Sequence, residues 1–139
     1  MVVALVLVAA MLAGCGSKPK EPDYFEPVKP IYITSPILAA REGNQVVWRI
    51  QVVNAGSVAQ DGLSLHMSIR YTSQENPAAV PDEAPSLEIG TLSGRQAEVY
   101  TLRTAYHGFG DYQGPVQVWQ GESTLAKEFA WYEECRGYC

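Results

Sequence analysis

The sequence predicts an all-β fold, an antiparallel β-sandwich of about seven strands over residues 36–131. Three observations carry that expectation. Large apolar residues alternate with polar ones at a period of two through residues 45–54 and again through 63–71, as half-buried strands require. Clusters of Gly, Asn, Pro and Ser interrupt the chain at short intervals, the spacing expected of sandwich strands. No segment after the first 14 residues repeats its apolar side chains at the helical period.

Residues 1–14 are an uncharged apolar run that closes on Leu12-Ala13-Gly14-Cys15. Small side chains before a cut suit a signal peptidase. This stretch resembles the bacterial lipoprotein signal, in which the preceding peptide is removed and the cysteine receives a diacylglyceryl thioether, often with an acyl chain such as palmitate on the new amino terminus. The resemblance implies that Cys15 anchors the chain to a lipid bilayer, at the cell membrane or the outer membrane, with the domain in the periplasm or outside the cell. Gly16 after the cysteine resembles the class sorted to the outer membrane. The run lacks the basic start of such signals, so a start codon further upstream is expected. At roughly 14 residues it is shorter than the 18 or more expected of a membrane span.

Residues 15–35 turn to Lys, Glu and Pro, a composition that favours extended backbone and reads as a tether. Residues 31–34 and 37–40 flank Pro36, so a first strand broken by that proline is expected at a sheet edge. Through 45–54, Val46, Trp48, Ile50 and Val52 share one face and Val47, Arg49, Gln51 and Val53 the other. In the next strand Leu63, Leu65, Met67, Ile69 and Tyr71 alternate with Ser64, His66, Ser68 and Arg70. Residues 72–85, with three prolines and few large apolar groups, read as a surface loop. Short strands follow at 87–89, at 98–104 with Tyr100 and Leu102 inward, and at 112–118. In the last, 123–131, Leu125, Phe129 and Trp131 fall on one face. A tail, 132–139, carries Cys135 and Cys139.

Three stretches, Val52-Val53-Asn54-Ala55-Gly56, Ile89-Gly90-Thr91-Leu92-Ser93-Gly94 and Gly110-Asp111-Tyr112, resemble the turns and strand start of bacterial CARDB-type and related immunoglobulin-like modules. The resemblance covers about residues 45–120. It implies an immunoglobulin-like sandwich serving adhesion, scaffolding or protein interaction in the envelope, with no catalytic residues to carry over.

Composition narrows the functions further. With 139 residues, three Trp and eight Tyr, the chain supports one folded domain. A net charge of −5 lacks the basic footprint that nucleic acid requires. No nucleophile has a local His and acid arrangement, so no enzyme and no cofactor are expected. With Cys15 assigned to lipid, Cys135 and Cys139 remain as an even pair in an oxidising compartment, where a local disulfide is expected. A pairing between chains is the variant of that reading. The pair also resembles the start of the binuclear copper loop of oxidase subunits, whose His and Met ligands are missing here; an envelope carrier of copper, using His66 or His107, or of a small ligand is the alternative. Tyr106, His107 and Phe109 lie in a loop at a sandwich end and are the expected recognition residues. Trp119, out of phase with Val116 and Val118, is expected exposed and grouped with Tyr106 and Phe109 as an aromatic patch for protein or cell-wall glycan.

Overall fold

The computed structural model describes residues 30–75 and 77–137. The signal 1–14, Cys15, the tether up to residue 29 and Cys139 lie outside the described residues. Among those described, the alternating segments become nine strands: β1 (Ile31–Ile33), β2 (Leu38–Glu42), β3 (Gln45–Asn54), β4 (Gln60–Met67), β5 (Arg70–Thr72), β6 (Ser86–Leu92), β7 (Gln96–Ala105), β8 (Gly110–Gln120) and β9 (Ser123–Glu134).

These nine segments make seven lines, because two lines are broken. β7 pairs with the whole of β3, so β1 and β2, which register with opposite ends of β3, share its other edge. The break between them is the cis Ser35–Pro36 bond, at a sheet edge as the proline led one to expect. In the second sheet β9 follows β8 along its length, and β4 and β5 divide the opposite edge of β8. β6 flanks β4. Every pairing is antiparallel, and the chain crosses between sheets after β3, β6 and β7. The protein is an immunoglobulin-like antiparallel β-sandwich. It extends beyond 36–131 at both ends: Ile31 and Ile33 are buried against the core, and Tyr132 and Glu134 still belong to β9.

Val46, Trp48, Ile50 and Val52 of β3 pack with Leu63 and Leu65 of β4 and Tyr112, Val116 and Val118 of β8, all without solvent contact or nearly so. Trp48 is the centre. Its Nε1 donates to Thr104 Oγ1 at 2.9 Å, and its ring meets Tyr132 edge-on at 6.5 Å. Val47, assigned by period to the outer face, is fully buried as well. It lies between Ala40 and Arg103 in the register, where Glu42 pairs with Arg49 at 3.2 Å and Arg103 at 3.7 Å. The stems of those long side chains roof it.

β9 departs most from expectation. Leu125, Phe129 and Trp131 do not share a face: Phe129 and Trp131 are 56% and 55% exposed, whereas Leu125 packs against the core. A bulge explains the split. Val118 pairs with Ala126 but Trp119 with Thr124, so Leu125 is an extra residue and the phase slips there. Beyond the bulge Ala126, Ala130 and Tyr132 pack with the core, on the face where Glu128 pairs with Val116.

Candidate functional site

Loop 105–110 is expected to be the recognition loop, yet its residues are turned toward the domain. Tyr112, at the start of β8, donates from its hydroxyl to Gly108 O at 2.6 Å and accepts from His107 N at 2.8 Å. This is a tyrosine corner, in which a buried phenol ties the chain entering its strand to the backbone just upstream. Burial pushes the Tyr112 hydroxyl up to about 12, despite the His107 amide that opposes the shift. Tyr71 adds a bond from its hydroxyl to Phe109 O at 2.8 Å. Glu83 accepts the Ala105 amide with both oxygens and stands 3.2 Å from His107 Nε2. Glu83 belongs to the 72–85 loop, and the bridge between Ile69 and Glu83 brings it to this end of the sandwich.

A second polar group closes the same end. Glu134 Oε2 accepts from Tyr106 Oη at 2.9 Å and Arg41 at 3.1 Å, and Oε1 accepts from Tyr132. Arg41 also lies over the Tyr106 ring, 3.8 Å from its centre. Because Arg41 is on β2 and Glu134 on β9, the cluster ties one sheet to the other. Burial alone raises the Glu134 carboxyl, but the two phenols and the guanidinium outweigh it and hold the group below the ordinary carboxylate range.

A group with a lowered folded pKa contributes stability that is present above its unfolded value of 4.5 and lost as pH falls through the folded value. Glu134→Gln is therefore expected to cost about 1–2 kcal/mol at neutral pH. The difference from wild type should shrink as pH falls through the lowered folded value. Urea unfolding at neutral pH and through the acid range checks this, and a difference that stays constant would contradict it.

Beside the clasp lies a cleft of about 580 Å³, lined by Thr72, Glu75, Phe109, Asp111, Glu133 and Arg136 among others. Arg136 bonds Glu75 at 2.8 Å and stacks on Phe109 at 4.5 Å, so the residue following Cys135 fastens the tail to the loop. Of the two histidines offered to copper, His66 pairs with Gln117 and Cys135 follows Glu134, the partner of Gly110. Seven residues of β8 separate those positions, roughly 23 Å. His107, at the Cys135 end, is engaged with Glu83. Among the described residues no His, Cys, Asp and Glu group is arranged to hold a metal.

The expected patch of Trp119 with Tyr106 and Phe109 does not form. Phe109 precedes β8 and Trp119 is its last residue but one, so strand rise alone separates them by about 30 Å. Trp119 instead belongs to the outer face of the second sheet. Its ring stacks on His66 at 3.7 Å, and its Nε1 donates to Gln117 Oε1 at 2.7 Å. His66 in turn bonds Ser64 Oγ at 2.8 Å. The exposed rings of Phe129 and Trp131 share this face, because register sets them beside Pro115 and Gln113. Sequence reasoning missed them as surface residues. Both faces of β9 carry apolar side chains, so alternation alone does not mark the inner one.

No family model matches the chain, and no curated protein matches it. Solved structures do resemble it in shape. A β-glucuronidase from glycoside hydrolase family 2 aligns with a TM-score of 0.51 at 10% identity, over 75% of this chain and 12% of that one. A putative β-galactosidase from Bacteroides fragilis aligns at 0.45 and 13% identity, over 77% of this chain and 16% of that one. This chain therefore spans about an eighth of the first enzyme's length. At such identity the first likeness shows the fold alone, one β-sandwich within a much larger protein.

Proposed function

We propose that this chain is a non-enzymatic interaction or scaffold module of the bacterial envelope, held to a membrane by a lipid on Cys15. One observation carries the module reading: Phe129 and Trp131 stand exposed on the second sheet while the core is complete without them. Exposed aromatics grouped on one face mark a binding surface. The resemblance to CARDB-type modules points the same way. Leu12-Ala13-Gly14-Cys15 supports the anchor, and no helix among the described residues is long and apolar enough to cross a membrane. Cys135 and Cys139 form a local disulfide in this reading, keeping Arg136 on Glu75 and Phe109.

Intact mass of protein extracted from membranes tests the anchor. The expected species begins at Cys15, carries a diacylglyceryl group and is two hydrogens lighter than the dithiol; Cys15→Ser should release it to the soluble fraction. A species that retains residues 1–14, or an unmodified Cys15, would overturn the anchor.

A further inference from the structure

The outer face of the second sheet holds a groove in which aromatic rings, amides and hydroxyls predominate. Two hollows of about 260 and 240 Å³ share Ser68 and Pro115 and so run into one another. Phe129 borders the first and Trp119 the second. The two rings stand four residues apart in the β8 register, about 13 Å along the strand. Trp131 extends the row beside Gln113. The groove's one guanidinium, Arg70, is paired with Asp82 at 3.4 Å. Gln117 and Ser68 lie between the rings and Gln113 beside Trp131, and the register sets a further cation, Lys127, opposite Gln117 on this face.

We infer that this groove binds an uncharged, pyranose-based glycan chain, an assignment that rests on the interaction-module reading and names its ligand class. Sugar rings present C–H faces that stack on aromatic rings, and hydroxyls that match amides able to both donate and accept. Arg70 is paired with Asp82, Lys127 is outnumbered on this face by Glu88, Asp111 and Glu133, and the chain carries −5, which disfavours an anionic polysaccharide. An extended peptide is disfavoured for a different reason. β8 is paired on both sides, so the floor offers few main-chain groups of the kind that read a bound strand. The site is also organised before binding: His66 and Gln117 hold the Trp119 ring from its face and its N–H. Rings fixed in advance lose little entropy when a ligand arrives.

The test is titration of the full chain, extracted from membranes in mild detergent, with soluble glucan, xylan and chitin oligosaccharides, read by tryptophan fluorescence and calorimetry. At least one neutral oligosaccharide is expected to bind, with Trp119→Ala and Trp131→Ala each weakening it about tenfold or more. Trp131→Ala should leave the melting temperature unchanged, since its ring is over half exposed. Binding that survives both substitutions, or no binding by wild type, overturns the glycan assignment. If wild type instead binds an envelope protein and Trp131→Ala abolishes it, the glycan falls and the module reading stands. If the face binds neither class, both fall.

Discussion

Gly114→Ala is expected to lower the unfolding free energy by about 4 kcal/mol or more, a fall in melting temperature of roughly 15 °C for a domain of this size. A Cβ at Gly114 would lie 1.7 Å from the Ser68 carbonyl oxygen and 2.8 Å from its carbonyl carbon. Both are backbone, so no rotamer change relieves the overlap. This is the point where the line β4/β5 is broken: Ser68 donates its amide to Pro115 O at 3.1 Å, and Ile69 bridges to Glu83. A residue's N–H and C=O point to the same side of its strand. The missing donor of Pro115 therefore faces the break, which is how a central strand accommodates a proline. Alanine at 114 would push this jog away and weaken the hydrogen bond, the bridge and the burial of Ile69 together. Gly43 supplies the control. Its φ is 62° and nothing lies within 4 Å of a Cβ there, so Gly43→Asn, compatible with that backbone, should be nearly neutral. Thermal unfolding followed by circular dichroism reads both; a Gly114→Ala domain melting within a few degrees of wild type would contradict the packing described.

The contrast shows what was legible in the sequence and why. Period-two patterning located β3, β4 and β8, because burying one face of a strand is written in consecutive residues. The break at Pro36 was equally local. Gly114-Pro115 was not legible as a docking point, since the atom it meets belongs to Ser68, in the distant break between β4 and β5. The same limit explains Phe129 and Trp131. Their side of β9 depends on a bulge opposite Val118 and Trp119. Glu83 and Glu134 acquire partners only when pairing brings Ala105, Tyr106 and Arg41 to them. The aromatic patch failed through a simpler omission, because ten residues of extended chain separate its members.

Asn54→Ala should cost about 3 kcal/mol, by removing three hydrogen bonds at one fully buried side chain. Its Nδ2 donates to Val58 O at 2.9 Å and Leu92 O at 3.0 Å, and its Oδ1 accepts from Gly56 N at 3.1 Å. This gives a physical reason for two of the turns by which the chain resembles immunoglobulin-like modules. The turn after β3 and the turn between β6 and β7 are one unit: Asn54 joins them through Leu92, Arg95 N bonds Gly56 O at 2.8 Å, and a Cβ at Gly94 would lie 2.5 Å from Ser57 backbone. Asn54→Asp separates donation from packing, since it keeps the shape and the acceptor for Gly56 but turns both donor contacts into oxygen against oxygen. A buried carboxylate facing two carbonyls has its folded pKa raised, so its penalty grows as pH rises through the unfolded value of about 4. The aspartate variant should therefore be least stable at neutral pH and recover on acidification, the reverse of the loss expected from the Glu134 clasp. Urea unfolding across the acid range distinguishes the two carboxyls; an aspartate variant as stable as wild type at neutral pH would mean that the Val58 and Leu92 carbonyls do not depend on the Asn54 amide.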